Sequence, residues 1–214
     1  MNDLVMYDHQ TDSLWPQFFG EAIDGPLKGK KLEVVAVLQT TWQEWLGLYP
    51  DTLVLDKRGR YSSDSYSGYY RGGSKGVLGE SRSDDRLDAK EVVLGMRLDS
   101  MAKAYSVESL KSQPVVNDVL AGEEVLVIFD PTSEASVAYH RRVGEKVLNF
   151  ALTETEGVPQ PLMIDRETGT KWSVFTGQAV EGPLRGTVLE RIPIHYSFWF
   201  AWTDFYPSTE LYSG

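Results

Sequence analysis

The sequence predicts a mainly β fold, antiparallel with short aromatic helices, built from an internally duplicated and pseudo-symmetric unit. Three observations predict it. Shifting Met6–Leu55 forward by 157 positions carries Asp8 onto Asp165 and aligns the two stretches without a gap, with 18 of 50 pairs identical, and self-similarity at a fixed offset marks a repeated structural unit. Short apolar or alternating runs are divided by turn residues, in a chain with 19 Gly and 10 Pro, as antiparallel strands are. All six tryptophans lie in the two copies, three in each.

Each copy opens on a hairpin. Leu4 to Tyr7 and Ser13 to Phe19 flank the turn Asp8-His9-Gln10-Thr11-Asp12. The second copy repeats this as Leu162 to Ile164, the turn Asp165 to Gly169, and Thr170 to Thr176. Gly169 and Asp12 supply the positive φ of a tight turn, and Asp8 and Asp165 are expected to accept from turn N–H groups. Gly25-Pro26-Leu27-Lys28-Gly29 and Gly182-Pro183-Leu184-Arg185-Gly186 then form fixed bends. They lack the lysine–hydroxyl pair and helix of a phosphate loop. Leu32 to Leu38 and Leu189 to Ile194 are expected to return as strands.

Each copy closes on a short helix. Thr41 and Glu44 make a capping pair, and Trp42, Trp45 and Tyr49 fall on one helical face before Pro50 stops the run. Ser197 through Tyr206, stopped by Pro207, is the counterpart. Aromatic stripes at this spacing are expected in the core.

Between the copies, residues 56–90 interleave Tyr61, Tyr66, Tyr69 and Tyr70 with Arg58, Arg60, Arg71 and Lys75. This reads as a long surface loop. From Glu91, the runs Val92 to Leu98, Glu124 to Phe129, Ala135 to His140 and Lys146 to Leu152 read as strands, whereas Met101 to Leu110 fits helix or strand. The chain is thus expected to be one domain, 1–214: first copy 4–55, insertion 56–90, lead-in strands 91–157 and second copy 161–212. A lead-in precedes only the second copy, so the first unit starts midway. Its uncovered edge is expected to invite a homodimer or a partner chain.

Composition excludes several functions. A net charge of −10 opposes binding to nucleic acid or anionic lipid. The absence of cysteine removes disulfides, thiolate metal sites and cysteine nucleophiles. No apolar run is long enough for a membrane span, and Met1-Asn2-Asp3-Leu4 has neither the basic region nor the apolar core of a signal peptide.

Candidate chemistry is sparse. His9, His140 and His195 have no ligand-like spacing, and no metal site is assigned. If the copies face each other, Trp15, Gln17 and Glu21 would line a shared cleft with Trp172 and Gln178. A carboxylate held between indoles has its pKa raised and can act as general acid or base. Glu21 and His195 are therefore the catalytic candidates, with a solvated strand edge as the plainer reading of Glu21. Asn117-Asp118 reads first as a turn.

Ser13-Leu14-Trp15-Pro16-Gln17, Gly20-Glu21-Ala22-Ile23, Gly25-Pro26-Leu27, Trp42-Gln43-Glu44-Trp45, Tyr49-Pro50-Asp51-Thr52, Ala104-Tyr105, Val116-Asn117-Asp118 and Phe198-Trp199-Phe200-Ala201-Trp202 resemble the bacterial and archaeal domain-of-unknown-function family 3179. The resemblance covers nearly the whole chain, and Lys103 and Asn117-Asp118 match its positions. It implies no established activity. Family members commonly carry an export signal, implying an extracytoplasmic location, and a Cys-Pro-Leu-Cys segment ahead of the first copy. By the duplication, that segment corresponds to Pro131-Thr132-Ser133-Glu134-Ala135-Ser136 here, so the chain is expected to be N-terminally shortened and without that segment's thiol chemistry. Two functions follow as expectations: a non-catalytic binding or structural module that takes a small polar ligand or protein partner in the cleft between its two repeats, or an enzyme using Glu21 or His195 with an unidentified metal or cofactor, whose full form needs the missing N-terminal Cys-bearing segment.

Overall fold

The computed structural model describes residues 4–56, 58, 66–76, 79, 82–153 and 160–214; Arg60 and Tyr61 of the arginine–tyrosine stretch lie outside them. The chain runs β1 (Val5–Tyr7), β2 (Leu14–Pro16), α1 (Trp42–Leu48), α2 (Ser67–Arg71), β3 (Val92–Leu98), β4 (Met101–Ser106), α3 (Val107–Ser112), β5 (Val115–Leu120), β6 (Glu123–Asp130) and β7 (Ala135–His140). It continues β8 (Arg142–Val143), β9 (Lys146–Val147), β10 (Phe150–Leu152), β11 (Leu162–Asp165), β12 (Lys171–Ser173), β13 (Ala179–Glu181), β14 (Ile194–Phe198), α4 (Trp199–Phe205) and β15 (Glu210–Leu211). The fold is mainly β, as the sequence predicts. The β1–β2 hairpin, the β5–β6–β7 and β10–β11–β12–β13 sheets and the β8–β9 hairpin pair antiparallel, while β15 adds parallel to β4.

The chain divides into two compact units. One contains Met1–Val35, Lys57–Val93 and Tyr196–Thr209; the other contains Ala36–Asp56, Leu94–His195 and Glu210–Gly214. Each unit therefore takes the hairpin of one segment and the closing helix of the other. In the first, Phe18 meets Trp202 and Phe205 edge-on at 5.9 and 5.0 Å, and the Tyr206 hydroxyl donates to the Phe18 carbonyl. In the second, Trp172, Val174, Phe175, Tyr139, Phe150 and Leu148 form the core, against which Leu38 and Leu48 pack.

Local chemistry explains two of the helix starts. Thr41 caps α1 by accepting from the Glu44 N–H at 3.2 Å. Met101 to Leu110 divides at Ser106, whose hydroxyl caps α3 and ends β4.

Four expectations are corrected. The stretches 32–38 and 189–194 are not continuous strands: bridges at Lys31 and Val188 just precede them, and within them only Arg191 forms a bridge, with β14 starting at Ile194. The strand expected over 13–19 is held to β2, because the turn closed by the Gly20 N–H on the Pro16 carbonyl takes the rest. Asn117-Asp118 is not a turn: it lies within β5, where its side chains reach long-range partners. Finally, the aromatic stripe is buried in α4 but not in α1, where Trp42 and Tyr49 are about half exposed.

Candidate functional site

Each hairpin is locked by a carboxylate. Asp8 accepts from the Thr11 N–H at 2.6 Å, the Thr11 hydroxyl, and the Trp15 indole N–H at 3.0 Å. Asp165 accepts the same bonds from Thr168 and Trp172, at 2.6 Å and 2.9 Å. The hydroxyl of Ser13 or Thr170 then accepts from the N–H of Leu27 or Leu184, fastening the proline bend. Strand registers also recur at the 157 offset: Met6 lies opposite Trp15 and Met163 opposite Trp172. At the helices, Trp45 donates to the Thr52 hydroxyl and Trp202 to the Thr209 hydroxyl.

These bonds define the place of the predicted site residues. Trp15 and Trp172 are buried with their indole N–H groups satisfied by aspartate. Gln17 and Gln178 are exposed. Glu21 is half-buried and lies 3.7 Å from the Lys31 ammonium. Trp15, Gln17 and Glu21 belong to the first unit; Trp172, Gln178 and His195 belong to the second. Burial lowers the His195 pKa, keeping the imidazole neutral at pH 7. His9 is exposed against Tyr7, and His140 stands 4.0 Å from Glu123. Among the described residues, no three His, Cys, Asp or Glu side chains group as a metal site.

The densest chemistry lies instead on β4, in the second unit. Lys103 and Tyr105 alternate on one face of this strand by its period of two. The Lys103 ammonium, almost fully buried, contacts Asp118 Oδ2 on β5 at 2.7 Å and Glu210 Oε2 on β15 at 3.4 Å. The Tyr105 hydroxyl donates to the same Asp118 oxygen at 2.9 Å. Burial first, and the Asp118 charge second, push the Tyr105 pKa far up, so this phenol remains a proton donor. Tyr212 packs against its ring. Arg141 donates to the Asp118 carbonyl, and Asn117 exchanges two hydrogen bonds with the Phe150 backbone. Sequence reasoning singled out Lys103, Asn117 and Asp118, quoted Tyr105 only within the Ala104-Tyr105 motif of the resemblance, and missed Glu210 and Tyr212. Strand periodicity marks Tyr105; only tertiary pairing places Glu210.

In the first unit, the aromatic insertion holds one of the chain's own cations. Lys90 donates to the Tyr69 and Gly72 carbonyls at the end of α2 and lies over the rings of Tyr69 and Phe198, 4.1 and 5.7 Å from their centroids. A cation at a helix C-terminus is favourable, and an aromatic face adds to it.

A mainly β chain with two aspartate-locked tryptophan hairpins and a buried lysine between carboxylates is thus the class that fold and site define. The chain belongs to the DUF3179 family, proteins of unknown function, whose family model matches residues 1–209. No curated protein and no solved structure matches it.

Proposed function

We propose that this chain is a non-catalytic binding or structural module built on a duplicated unit. The observation that carries this reading is the Lys103–Asp118–Tyr105 cluster, whose polar groups are directed at one another. General acid–base catalysis needs a group poised to exchange its proton near the working pH. Tyr105 is held protonated, and the Lys103 ammonium is enclosed by two carboxylates. The arrangement ties β4 to β5 and to the terminal strand β15, a role in fold integrity. The matching bonds of the two hairpins support the duplicated unit.

Equilibrium unfolding of Lys103→Met, with elemental analysis of the purified parent chain, tests the reading. Removing one partner of a buried ion pair strands the other charge. With Asp118 and Glu210 partly solvated, the expected loss is about 2–3 kcal/mol, and no metal is expected at stoichiometric level. A stoichiometric metal that survives dialysis, or a variant as stable as the parent, overturns it.

A further inference from the structure

We infer that the first unit carries a docking edge for an extended polypeptide, which adds to the outer edge of β1 and to residues 33–35. The inference stands whatever the Lys103 cluster does, because it concerns another unit and another kind of contact.

It comes from the way the second segment covers the same edge. There β10 pairs along the free side of β11, placing Phe150 opposite Asp165 and Leu152 opposite Met163. β7 lies along residues 190–192: the His140 N–H donates to the Glu190 carbonyl, and the Ile192 N–H to the Ala138 carbonyl, both at 2.9 Å. Under this cover Met163, Leu189 and Ile192 are 0, 4 and 1 % exposed. Their counterparts in the first segment are Met6, Leu32 and Val35, at 44, 55 and 65 %. Among the described residues β1 pairs with β2 alone, and Leu4, Val5 and Tyr7 are likewise exposed.

A second observation specifies the occupant. The Tyr139 ring of β7 is pressed against Gly177, where an added Cβ would lie 2.6 Å from its Cε1, and its hydroxyl donates to the Val174 carbonyl. The counterpart of Gly177 is Gly20, also at positive φ, and the nearest atom to a Cβ there is Val34 Cγ2 at 3.5 Å. The first segment thus keeps the glycine, and among the described residues no ring lies against it. An edge with unpaired main-chain groups and apolar side chains recruits a strand, with backbone bonds giving affinity and side-chain seats giving specificity. The occupant is therefore an apolar polypeptide with two extended stretches, patterned like β7 and β10, that seats an aromatic ring against Gly20.

The probe is a synthetic peptide of residues 133–153, which spans β7 to β10, added to the full 214-residue chain. Amide exchange at residues 4–7 and 33–35 should slow about tenfold or more when it binds. A Tyr139→Ala peptide should bind about tenfold more weakly, by loss of one buried aromatic seat. Val35→Pro in the chain removes a backbone donor at the edge, and Met6→Lys charges its face without touching the backbone; both should abolish the protection. Unchanged exchange at millimolar peptide overturns the proposal. So does a chain already protected at these residues and dimeric by light scattering, which would make a second copy the occupant.

Discussion

The two hairpins contain the same hydrogen bonds and differ in what lies against them. Asp8–Thr11–Trp15 and Asp165–Thr168–Trp172 match bond for bond, and both proline bends are fastened by a hydroxyl. Gly25 and Gly182 are equally confined: a Cβ at either would meet the Cα of Ser13 or Thr170 at 2.7 or 2.8 Å. Contacts made within a hairpin are therefore symmetric. Among the described residues, strands such as β10 and β7 lie along the second hairpin segment and none lies along the first in the same way. Local sequence fixes the hydrogen-bond pattern, while burial depends on neighbours supplied from elsewhere in the chain.

The largest effect expected from this difference is at the helices. Trp202 is fully buried against Phe18 and donates to Thr209, whereas Trp45 donates the equivalent bond while half-buried. Chemical denaturation should show Trp202→Ala losing about 4 kcal/mol, within the range for buried tryptophan truncation, and Trp45→Ala about half of that. Equal losses would mean that α1 is buried in solution, contrary to the exposure of Trp42 and Tyr49.

Next is the carboxylate lock. Asp165→Ala leaves the buried Trp172 indole and the Thr168 donors without their acceptor, an expected loss of about 3 kcal/mol. Asp8→Ala removes the same bonds where the carboxylate is part-exposed and not fully buried, and should cost clearly less by the same measurement. A smaller loss for Asp165→Ala than for Asp8→Ala would break the comparison.

The glycine pair sharpens it further. Both Gly20 and Gly177 have positive φ, 57° and 67°, so alanine is strained at either by about 1 kcal/mol. Gly177→Ala must also displace the Tyr139 ring, bringing its expected loss to about 2–3 kcal/mol. Thermal melts of the two single variants separate these contributions, since only the crowding depends on the lead-in strand.

The same division sets what was legible in the sequence. The run Ala135–His140 is a strand because its apolar pattern and its pairing with β6 agree. Leu32 to Leu38 has a comparable pattern and forms no continuous strand: among the described residues no strand pairs along it, and the bridge at Lys31 and the Leu32 N–H bond to the Gly20 carbonyl stop at its start. Asn117 and Asp118 have turn propensity, yet bonds to Phe150 and Lys103 draw them into β5. The aspartate locks were legible as turn acceptors; their second task, seating an indole seven residues on, was not. Glu210 was invisible as a partner of Lys103, because a parallel pairing between β15 and β4 leaves no short-range pattern.

The smallest effect expected is in acid, at Asp8. Its indole bond to Trp15 first, and the Thr11 hydroxyl second, hold the carboxyl at about 2, below the ordinary 3.8. Both groups donate to the ionised form and so favour it. A carboxylate with a lowered folded pKa contributes stability in full above its unfolded value, and that contribution is lost as pH falls through the folded one. The first hairpin should therefore keep its lock through pH 4 and release it near pH 2. The Trp15 indole N–H resonance, followed by NMR across that window, reads the release directly. A midpoint near 3.8 would mean that the bond favours neither protonation state, and that the turn is held by its backbone alone.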